Sequence, residues 1–134
     1  VAVARVAVVA DDLIWSTRLR EQLREAGARP VAVRDRSALE AALPDVDAAV
    51  VDLTARAYDG IELVGLAVAA GCRVMAIGQH DDREGRRRAT VAGAERVVAY
   101  RQLAEKGPAV LAHWLGSDPT DRLEPTAAEG EVTA

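Results

Sequence analysis

The 134 residues amount to one domain with room for a single hydrophobic core. Half of them are apolar, yet only Trp15, Trp114, Tyr58 and Tyr100 are aromatic, so Ala, Val and Leu must fill that core. A net charge of −4 gives no electrostatic ground for nucleic-acid binding, and no apolar run approaches the ~18 residues of a membrane span. The single cysteine, Cys72, excludes an intrachain disulfide and reads as a small core residue. With no basic-then-apolar leader pattern either, the expected compartment is the cytoplasm.

In chain order, Val3 to Ala10 is a short valine-rich run that ends on Asp11-Asp12 and reads as a strand. Leu13 to Ala26 has helical spacing, with Leu19, Leu23 and Ala26 on one face, and Gly27 stops it. Pro30 to Val33 is a shorter strand. Ser37-Ala38-Leu39-Glu40 has capping-box spacing and opens a short helix that Pro44 closes. Asp47 to Asp52 is the third strand, and Ile61 to Ala70 the next helix, with Leu63, Leu66 and Ala67 inward and Gly71 after it. Arg73 to Ile77 is a fourth strand.

Asp82 to Ala92 is the weakest helix, because Gly85 sits inside it and Arg86-Arg87-Arg88 crowd one side. Glu95 to Ala99 is a fifth strand. Leu103 to Leu115 is a last helix, with Pro108 in its first turn. Residues 1–116 thus make one domain. The polar stretch 117–134 reads as a disordered tail or a linker. Strand and helix signals alternate five times, so the expected fold is a three-layer α/β/α sandwich around a five-stranded parallel sheet.

The informative stretch is Ala48-Ala49-Val50-Val51-Asp52. Small and β-branched apolar residues run straight into a carboxylate, which places Asp52 at the carboxyl edge of the sheet, where open α/β folds collect ligands. With Asp52 ending the third strand, Asp59-Gly60 seven and eight positions later, and Gly93-Ala94 before the fifth strand, residues 5 to about 115 resemble the receiver domain of bacterial response regulators, with its flavodoxin-like (βα)5 fold. The resemblance implies a phosphoacceptor at Asp52, charged by a histidine kinase, and a Mg²⁺ ion held by acids after the first strand. It also implies a hydroxyl ending strand four and a lysine ending strand five. A carboxylate attacks phosphorus poorly unless a metal and a cation absorb the developing charge.

Position by position, the resemblance breaks around Asp52. Register puts Ala10 where the first acid belongs and Asp11 where the second does; Asp12 stands next to it. Asp11, Asp12 and Asp52 are therefore the only metal candidates, with Mg²⁺ weakly bound if at all and no cofactor required. Gly78 stands at the hydroxyl position, Tyr100 at the lysine position, and Val97 at the aromatic switch position. Tyr100 either fills the lysine pocket and bonds Asp52, or lies on the surface. The Arg56 guanidinium either pairs with Asp52 or Asp11 as a substitute charge, or faces solvent.

The face of helix four, strand five and helix five contacts partners in receivers. Here it offers Arg86, Arg87, Arg88 and Trp114 as an interaction surface, against the alternatives of a solvated arginine face and a core tryptophan.

The expected function is a degenerate receiver-like module, a pseudo-receiver that acts by contact with a kinase, an output domain or a second copy. The alternative is a working receiver phosphorylated on Asp52. An enzyme is not expected. The loop Ala10-Asp11-Asp12-Leu13 lacks the glycines of a dinucleotide site, and Thr54 stands where dehalogenase-type phosphatases need a second Asp.

Overall fold

A computed structural model describes residues 3–116. The stretch 117–134, read above as a tail or linker, lies outside the described residues. The elements alternate as β1 (Arg5–Val9), α1 (Leu13–Glu25), β2 (Arg29–Val33), α2 (Arg36–Ala42), β3 (Ala48–Asp52), α3 (Gly60–Ala69), β4 (Arg73–Gly78), α4 (Arg83–Val91), β5 (Arg96–Ala99) and α5 (Tyr100–Gly116). A 3₁₀ turn, Leu43–Asp45, follows α2 and contains Pro44. All strand pairs are parallel, in the order β2-β1-β3-β4-β5. This is the flavodoxin-like arrangement, three layers deep.

The strand order reverses direction between β1 and β3. Right-handed crossovers then put α1 and α5 on one face and α2, α3 and α4 on the other. The two cores follow strand parity. Ala7, Val9, Ala49, Val51, Val74 and Ala76 pack toward α2–α4. Val6, Val8, Ala48, Val50, Met75 and Ile77 pack toward α1 and α5. Asp52 continues the even-numbered set of β3, so parity turns it toward the α1/α5 layer.

Helix ends are set by aspartate and glycine. Asp12, Asp35, Asp59 and Asp82 each accept a backbone N–H from the first turn of the following helix, which satisfies donors that a helix cannot satisfy itself. For α2 this corrects the capping box. Asp35 caps it by accepting from the Ala38 amide at 2.9 Å. Ser37 lies two residues past the cap, and Glu40 instead pairs with Arg36 at 3.1 Å along the helix. Gly27 and Gly71 sit at φ 92° and 91°, the left-handed turn that ends α1 and α3 without a Cβ penalty.

The last helix begins at Tyr100, three residues before the expected start, and is broken at Lys106 (φ −137°, ψ 28°). Pro108 falls in the first turn after that break, where its missing N–H is tolerated. Cys72 is buried with its Sγ 3.6 Å from the Val46 carbonyl, and burial pushes its thiol pKa up.

Trp114 is 1% exposed, so it is no surface anchor. Leu103, Gly107, Leu111 and Trp114 form the buried stripe of α5, and helical spacing carries the indole inward. Its Nε1 donates to Glu95 Oε1 at 3.1 Å. The Arg73 guanidinium lies 5.8 Å over its ring and bonds Glu95 at 2.8 Å. Arg73 also reaches the Trp114 and Leu115 carbonyls, closing the amino-edge end of the molecule.

Candidate functional site

At the opposite edge of the sheet, Asp52 is the last residue of β3, paired in register with Ile77 of β4. It is 3% exposed. A carboxylate this deep needs donors, and three converge on Oδ1. The Thr54 backbone N–H and the Thr54 hydroxyl both donate at 2.9 Å. The Tyr100 hydroxyl donates as well, in a short contact, and lies against Thr54 Oγ1.

Of the two readings of Tyr100, the structure thus shows the one in which it occupies the strand-five position and bonds Asp52. It does so because α5 starts at Tyr100, directly after β5, on the face toward which Asp52 points. The ring rests on Trp15 of α1, with centroids 5.2 Å apart and planes at 57°. Burial, and next the bond to Asp52, push the phenol pKa well above its ordinary value.

Asp11 is spent elsewhere. Its Oδ2 accepts from the backbone N–H of Arg56 at 2.8 Å and of Ala57 at 3.0 Å, pinning the β3–α3 loop to the end of β1. The Arg56–Asp11 link is therefore made by the main chain. Among the described residues the Arg56 guanidinium has no ion pair, so the substitute-charge idea is not what the geometry shows. Tyr58 staples the same junction: its hydroxyl lies 2.7 Å from the Val9 carbonyl and 2.8 Å from the Asp52 carbonyl. Burial, with the charges of Asp52 and Asp11 behind it, raises its pKa strongly.

Asp12 turns back to cap α1, accepting the Trp15 N–H at 3.0 Å. Asp11, Asp12 and Asp52 line one open cleft of about 670 Å³ together with Trp15, Arg56 and Tyr100. They do not converge on a point. Among the described residues no group of three His, Cys, Asp or Glu is arranged to hold a metal ion. The donors they face are N–H and O–H groups, which serve an anion's oxygens as a metal would. The set as folded does not fit Mg²⁺.

Gly78 ends β4 beside Ala99 of β5 and brings no side chain to the cleft. Val97 is partly buried on the α2–α4 side, away from Asp52. On α4, Arg87 pairs with Glu84 at 2.6 Å in the open, Arg88 is exposed, and Arg86 is half-buried with its Nη2 3.4 Å from the Val97 carbonyl. Of these three arginines, Arg87 and Arg88 present an outward basic surface.

Sequence reasoning missed Thr54, Tyr58 and Trp15. For Thr54 a signal existed: a hydroxyl two residues after a strand-ending Asp is placed to close a local turn onto it. Tyr58 and Trp15 act across the fold, and their local sequence carries no mark of it.

No family model and no curated protein matches the chain. Solved structures do. It is similar to a response regulator from Burkholderia pseudomallei with a phosphorylated aspartic acid, a calcium ion and citrate, at 18% identity, 98% coverage of this chain, 77% of that one and TM-score 0.74. It is similar to the signal receiver domain of the response regulator NarL from Mycobacterium tuberculosis, at 22% identity, 87% and 100% coverage and TM-score 0.72. A third is the signal receiver domain of a modulated diguanylate cyclase from Desulfovibrio desulfuricans, at 25% identity, 84% and 96% coverage and TM-score 0.66. The chain has the fold of a response-regulator receiver domain.

Proposed function

We propose that residues 1–116 are the receiver-like module of a two-component response regulator, working in the cytoplasm through protein contacts rather than a phosphorylation switch. The observation that carries this reading is the occupied Asp52. Its Oδ1 already accepts three hydrogen bonds, two of them from hydroxyls. A phosphodonor would meet a carboxylate already bonded through Oδ1 to Thr54 and Tyr100, at a site where Asp11 is committed to backbone amides and, among the described residues, no lysine ends β5. Each missing charge-stabilising group costs a phosphoryl transfer orders of magnitude in rate.

Partners of this reading are a histidine kinase, an output domain or a second copy, meeting the face of α4, β5 and α5 with Arg87 and Arg88 at its rim. The module itself performs no catalysis and needs no cofactor.

Incubation with acetyl phosphate and Mg²⁺, followed by intact mass, tests the proposal. The expected result is no phosphoryl adduct under conditions that label an ordinary receiver. An adduct that disappears in Asp52→Ala would establish the alternative, a working phosphoacceptor.

A further inference from the structure

The break in α5 separates two segments that are held very differently. After it, Leu111 is fully buried and Trp114 nearly so, and the Glu95–Arg73 pair fixes the helix end through Trp114 Nε1 and the last carbonyls. Before it, the segment Tyr100–Glu105 rests on one fully buried side chain, Leu103, and on two polar contacts. One is Tyr100 on Asp52 and Thr54. The other comes from α1: Gln22 Nε2 donates to the Leu103 carbonyl at 2.9 Å.

The second contact depends on the break. Non-helical φ/ψ at Lys106 interrupt the helix there, and a side-chain donor takes up the Leu103 carbonyl of the preceding turn. Gly107 is what lets Gln22 in, since a Cβ there would stand 2.2 Å from Gln22 Oε1. That same Oε1 is buried without a hydrogen-bond partner among the described residues. An orphaned acceptor offsets part of what the Nε2 bond contributes, so this contact holds without being strong.

We infer that α5 is a hinged helix whose leading segment, Tyr100–Glu105, tilts about Lys106–Pro108 and carries Tyr100 on and off Asp52, with Gln22 of α1 latching it shut. The buried Leu103 keeps the segment on the core, so the motion is a tilt of its first turn. Two bonds on opposite sides of one short segment must open together if the segment moves as a body. The occupancy of the Asp52 edge is thereby tied to the packing of α1 on α5. The device stands whether or not Asp52 accepts phosphate.

Backbone and side-chain amide NMR on the whole chain tests it at points the substitutions do not touch. Tyr100→Phe should shift and broaden the Gln22 side-chain NH₂ signal and raise its solvent exchange several-fold. Conversely, Gln22→Met, which keeps the volume and drops the donor, should shift the Thr54 amide that bonds Asp52. Gly107→Ala, which expels Gln22 by crowding rather than by removing it, should reproduce that shift. In all three, amides 109–114 should stay unchanged, which also reports that the variant is folded. The inference is overturned if Tyr100→Phe leaves the Gln22 signal alone, if Gln22→Met disturbs only its own contacts, or if the whole of α5 responds uniformly.

Discussion

Asp52, Thr54 and Tyr100 form the smallest unit with a consequence. A phenol half-buried against a carboxylate is costly to ionise, because a second negative charge would share one poorly solvated site. Both Tyr58 and Tyr100 are shifted above the ordinary value of 10.0. The unfolded chain therefore loses its tyrosine protons first. The contribution to stability is complete below pH ~10 and declines as pH rises past it. Denaturant titrations at stepped alkaline pH should show a falling midpoint above pH ~10. Tyr100→Phe, lacking one of the two shifted phenols, should fall less steeply. At neutral pH the same substitution removes a hydroxyl bonded to a charged group and should cost about 1–2 kcal/mol.

Asp52 itself was legible in the sequence, since an apolar run stopping on an acid has few other readings. Its surroundings were not. Asp11 is held by amides of Arg56 and Ala57, groups present in every residue, and which of them meets Asp11 is decided only by the path of the loop.

At the scale of elements, boundaries came through at the aspartate caps Asp59 and Asp82 and the left-handed Gly27 and Gly71, but not at Asp35, which the capping-box spacing at Ser37 misses by two residues. They failed where backbone geometry is unusual: α5 starts early at Tyr100, and its break at Lys106 precedes the Gly107-Pro108 pair that signals it. Of the two readings of Trp114, interface anchor and core residue, the core one holds, for a packing reason. Its stripe on α5 is the one that meets the sheet.

Trp114→Ala should cost about 3–5 kcal/mol, a large share of the ~5–15 kcal/mol that holds a domain of this size together. Glu95 is the neighbour that satisfies both Arg73 and the indole. Glu95→Ala should cost about 2–3 kcal/mol by removing the carboxylate that the Arg73 guanidinium and the Trp114 indole both bond, and Glu95→Gln, which keeps an acceptor oxygen, should cost less. Urea unfolding of the three variants orders these losses.

For the molecule as a whole, topology does most of the positioning. Reversal of strand order between β1 and β3 opens a cleft at one sheet edge, and the α1/α5 layer supplies its wall with Trp15 and Tyr100. The alternation of strands and helices made that architecture readable, because a parallel sheet buried on both faces demands apolar strands and the crossovers fix the handedness.

What lies in the cleft is a set of carboxylates each bonded through one oxygen to this chain's own N–H and O–H groups. Neither Mg²⁺ nor EDTA should therefore move the thermal midpoint beyond the screening effect of matched NaCl; a midpoint that rises with Mg²⁺ would mean the carboxylates gather around the ion.

The most direct test is a backbone NMR titration with beryllofluoride in the presence of Mg²⁺. With Asp52 held by Thr54 and Tyr100, the amides of residues 52–57, 78 and 99–105 should keep their positions. Saturable shifts at those amides would show that Asp52 takes a phosphoryl mimic, and would contradict the account.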